Sequence, residues 1–257
     1  MITNTRRFLL VATLAVFAAA VFATGSNAAR AAETEWLVAP YVWLSDVALE
    51  QNPGRGGAIS AQDLLDKSDA VAMIRIEAAK ERFGMILDYI YLDLSDTRVI
   101  PPSVPNVPVP VSLISELDMT IFELGGFYRP SGEDAGIQYL FGYRGISTNT
   151  TILATPADGV TQRADTDAGL SDVFLGARYV YRHNRWDLVA RGDYSFGESD
   201  GMLNLLASVG FRFSEWFALQ GGYRYAALEY SEESEQGDQI DSEVELSGPF
   251  LGFVFRF

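Results

Sequence analysis

Hydrophobic and polar side chains alternate at every second position along most of the chain. In 137–146, for example, Tyr139, Phe141 and Tyr143 share one parity and Arg144 takes the other. A period of two places successive side chains on opposite faces of a β-strand. The pattern predicts ten strands, at 35–45, 70–80, 83–95, 116–129, 137–146, 170–182, 186–197, 202–213, 216–228 and 244–257.

One predicted strand, 116–129, breaks its own alternation. Glu116 and Asp118 share a parity that Glu123 does not. A β-bulge adds one residue to one strand of a pair and shifts the side-chain parity beyond it. The break therefore predicts a bulge near Phe122, which would turn all three carboxylates to the same face.

Short and long connections alternate along the chain. The short ones lie at 81–82, 131–136, 183–185 and 214–215, and four of the remaining five are long, those at 46–69, 96–115, 148–168 and 230–243. Barrels of the outer membrane have an even number of strands, with short periplasmic turns and long extracellular loops. The pattern predicts an all-β fold, a single up-and-down antiparallel transmembrane β-barrel spanning 32–257. Ten strands fit best, with eight as the fallback.

The two faces of these strands differ in chemistry, which bears on what surrounds the barrel. One face is apolar, and the other carries Arg, Asp, Glu, Gln, Ser and Gly. Aromatic rings gather at strand ends, where amphipathic rings favour the headgroup level of a bilayer. A soluble barrel has little need for rings at both rims of one face, so the pattern favours lipid outside and polar groups inside. The rings are Trp36, Tyr89, Tyr91, Tyr128, Tyr179, Tyr181, Trp186, Tyr194, Phe196, Trp216, Phe217, Tyr223 and Tyr225.

The N-terminal residues have the features of a secretory signal peptide. Arg6 and Arg7 precede an uncharged, mostly apolar run at 8–22, and small residues offer cleavage after Ala28 or Ala31. Such segments are removed from the exported protein. The sequence therefore predicts a signal peptide at 1–31 and a protein that reaches the cell outer membrane.

Composition excludes several classes of function. The chain has no cysteine, which excludes disulfides, thiol catalysis and cysteine-bound metals. The loss of three arginines with residues 1–31 changes the formal net charge from −15 to −18, which is the wrong sign for a nucleic-acid partner. The one histidine, His183, falls in a short turn on the periplasmic side. Asp172, Asp187 and Asp193 could pair as acid and base, but salt bridging explains them better, so we predict no enzymatic activity, metal or cofactor.

The polar face predicts a nearly neutral lumen of seven arginines and six carboxylates. A barrel of this size is only slightly wider than one that side chains fill. Two interpretations stay open, a lumen filled by ion pairs and a narrow channel for small polar or hydrophobic solutes. We expect Arg178 and Asp187 to pair directly across the turn at His183. The predicted lumen residues are Arg75, Glu77, Asp88, Glu123, Arg144, Asp172, Arg178, Asp187, Arg191, Asp193, Arg212, Arg224 and Arg256.

The last predicted strand ends on alternating apolar residues, Leu251, Phe253, Phe255 and Phe257. This ending resembles the C-terminal signature that the outer-membrane barrel assembly machinery reads. Together with Trp36-Leu-Val-Ala-Pro-Tyr-Val-Trp43, Leu64-Leu65-Asp66, and the stretch from Glu77 through Phe83–Asp88 to Ser95, it resembles a family of uncharacterised proteobacterial outer-membrane β-barrel proteins. The resemblance covers most of 35–257 and implies a fold and a location, with no established activity.

The predictions for partners follow from this fold. We expect contacts with outer-membrane lipid, lipopolysaccharide and the assembly machinery, and a structural or surface-exposed protein of unknown ligand. The acidic loop 229–243 has the oxygen atoms that Ca²⁺ prefers, but its spacing matches no ligand motif. A solvated acidic loop is the simpler interpretation.

Overall fold

The computed structural model of the chain describes residues 34–51, 55–59, 68–100, 110–157, 159–233 and 239–257. The description below concerns the unit Glu35–Phe257. The predicted signal peptide at 1–31 lies outside the described residues. Within the described ranges, no helix has the length and hydropathy needed to span a bilayer.

Ten strands form a closed, antiparallel, up-and-down barrel. Each strand pairs with the next one along the chain, and the first closes the barrel by pairing with the last, as Leu37 opposite Arg256 illustrates. The ten-stranded fold predicted from the alternation is confirmed. The barrel strands are β1 (Glu35–Trp43), β4 (Ser68–Lys80), β5 (Phe83–Ile100), β6 (Val111–Tyr128), β7 (Gly136–Pro156), β8 (Gln162–His183), β9 (Trp186–Gly197), β10 (Gly201–Arg212), β11 (Phe217–Glu233) and β12 (Gln239–Arg256).

Short connections close one end of the barrel, here called the turn end. They lie at 81–82, 129–135, 184–185 and 213–216, close to the predicted positions. Two of them are two-residue turns, whose first residues have positive φ, 55° at Glu81 and 52° at Asn184. Positive φ at the central residues of a two-residue hairpin matches the twist of the flanking strands. His183 ends β8 immediately before its turn.

The opposite end, here called the loop end, has longer strands than predicted. β7 and β8 have 21 and 22 residues, whereas a membrane-crossing strand needs only about 9–11. A further hairpin, β2 (Asp46–Gln51) and β3 (Arg55–Ile59), occupies part of the predicted loop 46–69. β2 extends β1 along the edge of β12, with Ser247 opposite Asp46. Gly248 permits this bend, because a Cβ there would lie 1.9 Å from the Leu44 carbonyl oxygen.

The predicted bulge near Phe122 is wrong. β6 runs from Val111 to Tyr128 against both neighbours with no shift in register. Glu116 and Asp118 therefore face the outside of the barrel while Glu123 faces the lumen. The outward carboxylates lie on the loop-end extension of β6, where Asp118 accepts a 3.0 Å hydrogen bond from the Tyr91 hydroxyl. The outward-facing side chains of β6 therefore change from polar to apolar between Asp118 and Phe122, because the outer surface of the barrel changes in the same way.

An apolar belt surrounds the outside of the barrel. Val173, for example, lies between Tyr143 and Phe196 on the neighbouring strands, and all three side chains are exposed. Near the turn end, aromatic rings contact one another from strand to strand, with centroid distances of 4.9–6.4 Å. These rings are Trp186, Phe211, Phe213, Trp216, Phe217, Phe253 and Phe255.

Inward-facing glycines make room for two buried aromatic rings. A Cβ on Gly84 would lie 2.2 Å from the Phe127 ring, and one on Gly125 or Gly142 would lie within 3 Å of the Phe174 ring. Both rings are almost fully buried. The glycines thus allow large rings to lie flat against the inside of a narrow barrel.

We predict that Gly84→Ala destabilises the barrel, because the added methyl group overlaps the Phe127 ring. Overpacking of this kind costs about 1–3 kcal/mol. The thermal transition of the purified protein, followed by the gel mobility of samples heated to a series of temperatures, measures the effect. Gly221→Ala is the matched control, since its Cβ would meet Leu251 at an ordinary 3.5 Å. Equal transitions in the two variants would contradict the packing argument.

Candidate functional site

All the charged residues predicted to face the lumen lie inside the barrel. Most are buried, including Glu123 and Arg144, each 1% exposed. Arg75, Arg212 and Arg256 are more accessible, with side chains 15%, 30% and 24% exposed. The inside of the barrel therefore carries a set of buried charges, whose partners decide what the lumen can do.

Glu123 is the centre of a network of ion pairs. Its carboxylate accepts hydrogen bonds from Arg144 at 2.7 and 3.0 Å, from Arg191 at 2.9 Å and from Arg224 at 3.3 Å. These arginines come from β7, β9 and β11, so one carboxylate on β6 joins the neighbouring wall to the opposite wall. We use the name Glu123 network for these side chains and the charged side chains linked to them, described below: Arg75, Asp88, Glu123, Arg144, Arg191, Asp193 and Arg224.

A second carboxylate, Asp193, binds the same arginines from another side. Arg144 and Arg191 donate to it at 2.5 and 2.6 Å, and the Asn204 amide donates at 2.7 Å. The Asn204 oxygen in turn accepts a hydrogen bond from Arg224 at 2.9 Å. The carboxylates and the amide thus satisfy the arginines with several hydrogen bonds each, as a buried charge requires.

The network reaches the remaining wall through Asp88. This carboxylate on β5 lies 2.9 Å from Arg75 and 3.6 Å from Arg224, and it accepts a 2.8 Å hydrogen bond from the Tyr41 hydroxyl. Side chains from β1, β4, β5, β6, β7, β9, β10 and β11 are therefore linked at this level. Ion pairs cross the lumen from wall to wall.

Aromatic rings support the buried arginines. The guanidinium carbon atoms of Arg144 and Arg191 lie 5.2 and 5.6 Å from the centre of the Phe174 ring. Arg224 lies 5.0 Å from the centre of the Trp43 ring. A cation within about 6 Å of a ring face is attracted by the ring's electrons. Each guanidinium is thus held by a ring as well as by carboxylates.

The predicted pair of Arg178 and Asp187 is wrong. Arg178 crosses the barrel to Glu77, with two hydrogen bonds of 2.6 Å, and binds the Gln138 oxygen at 2.7 Å. The tight turn sets Asp187 opposite Arg182, four residues nearer the turn than Arg178. Four residues of strand separate the two levels by roughly 13 Å, which is too far for contact.

Asp187 belongs to a separate group of charges at the turn end. Arg256 donates to it at 2.7 Å, Arg212 lies 3.2 Å away and Arg182 lies 3.8 Å away. Arg182 also donates to Asp134 in the turn 129–135. We call Asp187 and its three arginines the Asp187 cluster.

Asp134 connects this cluster to the rim. It accepts a 2.6 Å hydrogen bond from Arg129, which also lies 3.4 Å from Glu35. Burial raises the pKa of the Asp134 carboxyl, but its hydrogen bond with Glu35 and the guanidinium groups of Arg182 and Arg129 outweigh burial and leave the pKa below its ordinary value. Asp134 is therefore ionised at neutral pH and continues the chain of alternating charges.

The loop-end side of the lumen is apolar, which the sequence analysis missed. A group of buried hydrophobic side chains lies there, and the Trp43 indole nitrogen donates a 3.2 Å hydrogen bond to the Gly248 carbonyl. Trp43 entered the sequence analysis only through the motif of the family resemblance, and the alternation gave no signal that a layer of hydrophobic side chains fills the lumen. We call this group the apolar layer: Trp43, Met73, Ile90, Ile121, Met202, Ala226, Leu228 and Leu246.

Asp172 has polar partners of its own. Its carboxylate accepts hydrogen bonds from the Ser195 and Ser199 hydroxyls at 2.9 and 2.6 Å and from the Ser199 backbone at 3.1 Å. Ser195 also accepts a 3.2 Å hydrogen bond from Arg144. Among the described residues, no group of three or more His, Cys, Asp or Glu side chains could hold a metal ion.

The proposed assembly signature lies on the outer face of β12. Leu251, Phe253 and Phe257 are 58%, 50% and 54% exposed, and Phe255 packs against Trp216 and Phe217. Their role in assembly stays a prediction. In the acidic loop 229–243, residues 234–238 lie outside the described residues.

Several polar lumen residues were missed by the sequence analysis. Arg182 has the parity of Arg178 on β8, so the alternation could have found it. Tyr41 was overlooked because tyrosine was counted with the apolar residues, although its hydroxyl donates a hydrogen bond to Asp88. The others are Arg129 and Asp134, which bind each other in the turn 129–135. Gln138, Ser195 and Asn204 have the parity of the predicted polar face and lie inside the barrel as that parity indicates.

Comparisons with known proteins identify no family for the chain. No family model matches the chain, and no curated protein matches its sequence. The resemblance to a proteobacterial barrel family therefore stays a prediction.

Three solved structures illustrate the likeness. Ail, the attachment invasion locus protein of Yersinia pestis, is 9% identical and covers 87% of this chain and 98% of its own, with a TM-score of 0.38. The toluene transporter TodX of P. putida is 11% identical and covers 87% and 90%, with a TM-score of 0.33. The transport unit of the autotransporter AIDA-I from Escherichia coli is 8% identical and covers 96% and 97%, with a TM-score of 0.44. Similarities this low assign no function, and the fold rests on the strand pairing described above.

We predict that Glu123→Gln destabilises the barrel strongly. The substitution keeps the shape of the side chain but leaves three buried arginines without their shared carboxylate. Breaking a buried ion pair by removing one partner costs about 3–5 kcal/mol. Denaturant unfolding of the protein in detergent measures the loss.

The matched control for this prediction is Glu116→Gln, on the same strand but exposed on the outer face. We expect it to unfold as the unaltered protein does. If Glu123→Gln also unfolds like the unaltered protein, then water or ions inside the barrel already compensate the arginines, and the network does not stabilise the fold.

Proposed function

We propose that the chain is an integral protein of the cell outer membrane whose lumen is closed by ion pairs, and that it serves a structural or surface-exposed role. In this orientation the turn end faces the periplasm and the loop end faces outwards. The extended strands β5–β8, with the β2–β3 hairpin, then rise beyond the bilayer. Outer-membrane lipid contacts the apolar belt, and lipopolysaccharide lies beside the loop end.

The observation that carries this proposal is the Glu123 network. Its hydrogen bonds of 2.5–3.3 Å join side chains from opposite walls of the barrel, so these side chains fill the lumen at this level. The apolar layer, including Met202 at 1% exposed, lies beyond it toward the loop end. A hydrated ion that comes from the turn end meets first the ion pairs of the Glu123 network and then the hydrophobic side chains of the apolar layer.

The apolar belt supports the membrane location. Large hydrophobic side chains on the outside of the barrel, such as Leu175 and Trp186, are at least half exposed. A soluble protein rarely exposes a contiguous apolar surface of this extent. A closed barrel leaves no unpaired strand edge in lipid along its paired length, which is the condition for crossing a bilayer with strands.

We predict that the purified protein produces no stepwise conductance in planar lipid bilayers. The Glu123 network joins opposite walls of the barrel and blocks the path of a hydrated ion. A fourfold variant, Glu123→Ala with Arg144→Ala, Arg191→Ala and Asp193→Ala, removes two charges of each sign and is expected to conduct.

The competing function is a narrow channel for small solutes, and the same experiment decides between the two. Stepwise conductance by the unaltered protein, with an ion selectivity that changes in Glu123→Gln, would contradict the closed barrel and favour the channel. Silence of both the unaltered protein and the fourfold variant would place the block elsewhere, in the apolar layer.

We also predict that Phe257→Ala lowers the amount of folded protein in the outer membrane without impairing refolding of the purified chain. The backbone of Phe257 exchanges two 3.0 Å hydrogen bonds with Trp36, and an alanine keeps both. A loss that appears only in cells therefore reports recognition of the side chain by the assembly machinery. The measurement is the folded fraction in isolated outer membranes and in detergent refolding.

Phe213→Ala is the matched control, because this ring is also 54% exposed at the turn end but lies outside the C-terminal strand. We expect normal amounts of it in cells. Equal losses for both variants would show that the rings act through lipid contact, and no loss for Phe257→Ala would remove the assembly role.

A further inference from the structure

A cavity of about 460 Å³ opens from the turn end into the barrel. Hydrophobic residues form part of its wall, including Leu37, Ala218 and Val254, which pack together inside the barrel. Cavities of about 300–1,000 Å³ with apolar walls and a few placed polar groups are typical of sites for small molecules. The cavity lies on the opposite side of the Glu123 network from the apolar layer.

The charged groups on the cavity wall are unevenly paired. Glu77 is bound at 2.6 Å by each terminal nitrogen of Arg178, so this pair is complete. In the Asp187 cluster, by contrast, three guanidinium groups share one carboxylate. Arg182 has a second carboxylate partner in Asp134, which leaves Arg212 and Arg256 to divide Asp187. Glu215 and Phe257 also line the cavity.

Arg256 is the least satisfied of these cations. It binds Asp187 through one nitrogen, and its other two nitrogen atoms are buried without a hydrogen-bond partner within the described part of the chain. An unpaired buried donor costs free energy, and the cost is larger for a charged group. The Arg256 side chain is 24% exposed, so a small rotation brings these donors to the cavity.

We propose that this cavity binds a small organic carboxylate that enters from the turn end. The carboxylate lies against Arg256 and Arg182, where it accepts hydrogen bonds from the unpartnered nitrogen atoms of Arg256, and its apolar body contacts Leu37 and Val254. Arginine favours this ligand because its planar fork matches the two oxygens of a carboxylate. The binding depends on the proposed function only for the compartment, the periplasm, from which the ligand comes.

The position of Asp187 predicts the direction in which its removal changes the ligand affinity. Asp187 is the carboxylate of the chain that already occupies the arginines, so it competes with the ligand. Removing its charge therefore strengthens binding. If the cluster were only a structural ion pair, its disruption would loosen the cavity and weaken any binding.

The test uses the purified barrel in lipid nanodiscs, with hexanoate as the probe and hexanamide as its uncharged counterpart. Isothermal titration calorimetry measures the affinity for each probe. We expect saturable binding of hexanoate and at least tenfold weaker binding of hexanamide. Arg256→Gln lowers the hexanoate affinity at least tenfold, and Asp187→Asn raises it.

Arg185→Gln is the matched control, because Arg185 lies in the exposed turn between β8 and β9, does not line the cavity and removes the same charge from the same end. It leaves the affinity unchanged. If Asp187→Asn does not fold, Arg182→Gln replaces it and is expected to weaken binding. The proposal is overturned by equal affinities for hexanoate and hexanamide, by no saturable binding, or by equal losses in Arg256→Gln and Arg185→Gln. Since these measurements do not involve conductance or location, their failure leaves the closed-barrel function untouched.

Discussion

A charge inside a narrow barrel must find its counter-charge within that barrel, and the rest of this structure depends on that constraint. Transferring an unpaired ion from water into a protein interior costs several kcal/mol. Glu123 meets the constraint by accepting hydrogen bonds from Arg144, Arg191 and Arg224, each on a different strand. Because the partners come from separate walls, pairing the charges also closes the lumen.

The aromatic rings and glycines inside the barrel follow from the same constraint. An arginine long enough to cross the lumen needs support along its length, and the Phe127 and Phe174 rings lie under the guanidinium groups of Arg178 and Arg144. These rings fit only where the facing wall has no Cβ, as at Gly84. A change of one glycine is therefore transmitted through a ring to an ion pair. The Asp187 cluster differs, because two buried nitrogen atoms of Arg256 have no hydrogen-bond partner within the described residues.

The parity of the sequence predicted which side chains face the lumen, because parity is a local property of a strand. It predicted ten strands and the inward direction of residues as far apart as Arg75 and Arg256. Parity carries no signal where both faces of a strand lie in water. The polar run 147–151 pairs with 165–169 as part of β7 and β8, yet it contains no alternation of hydrophobic and polar residues to reveal a strand.

The sequence could not predict which inward-facing charges pair with each other, because the pairing depends on how the barrel closes. Arg178 and Glu77 are 101 residues apart and lie on strands that do not pair with each other. Their contact follows from the diameter and the stagger of the closed barrel, which no single hairpin specifies. The expected pair with Asp187 failed for this reason: it followed the shortest path along the chain, whereas the long arginine side chain follows the shortest path across the lumen. In a filled barrel, therefore, neighbours in sequence identify which side chains point inwards, and strand closure identifies which of them meet.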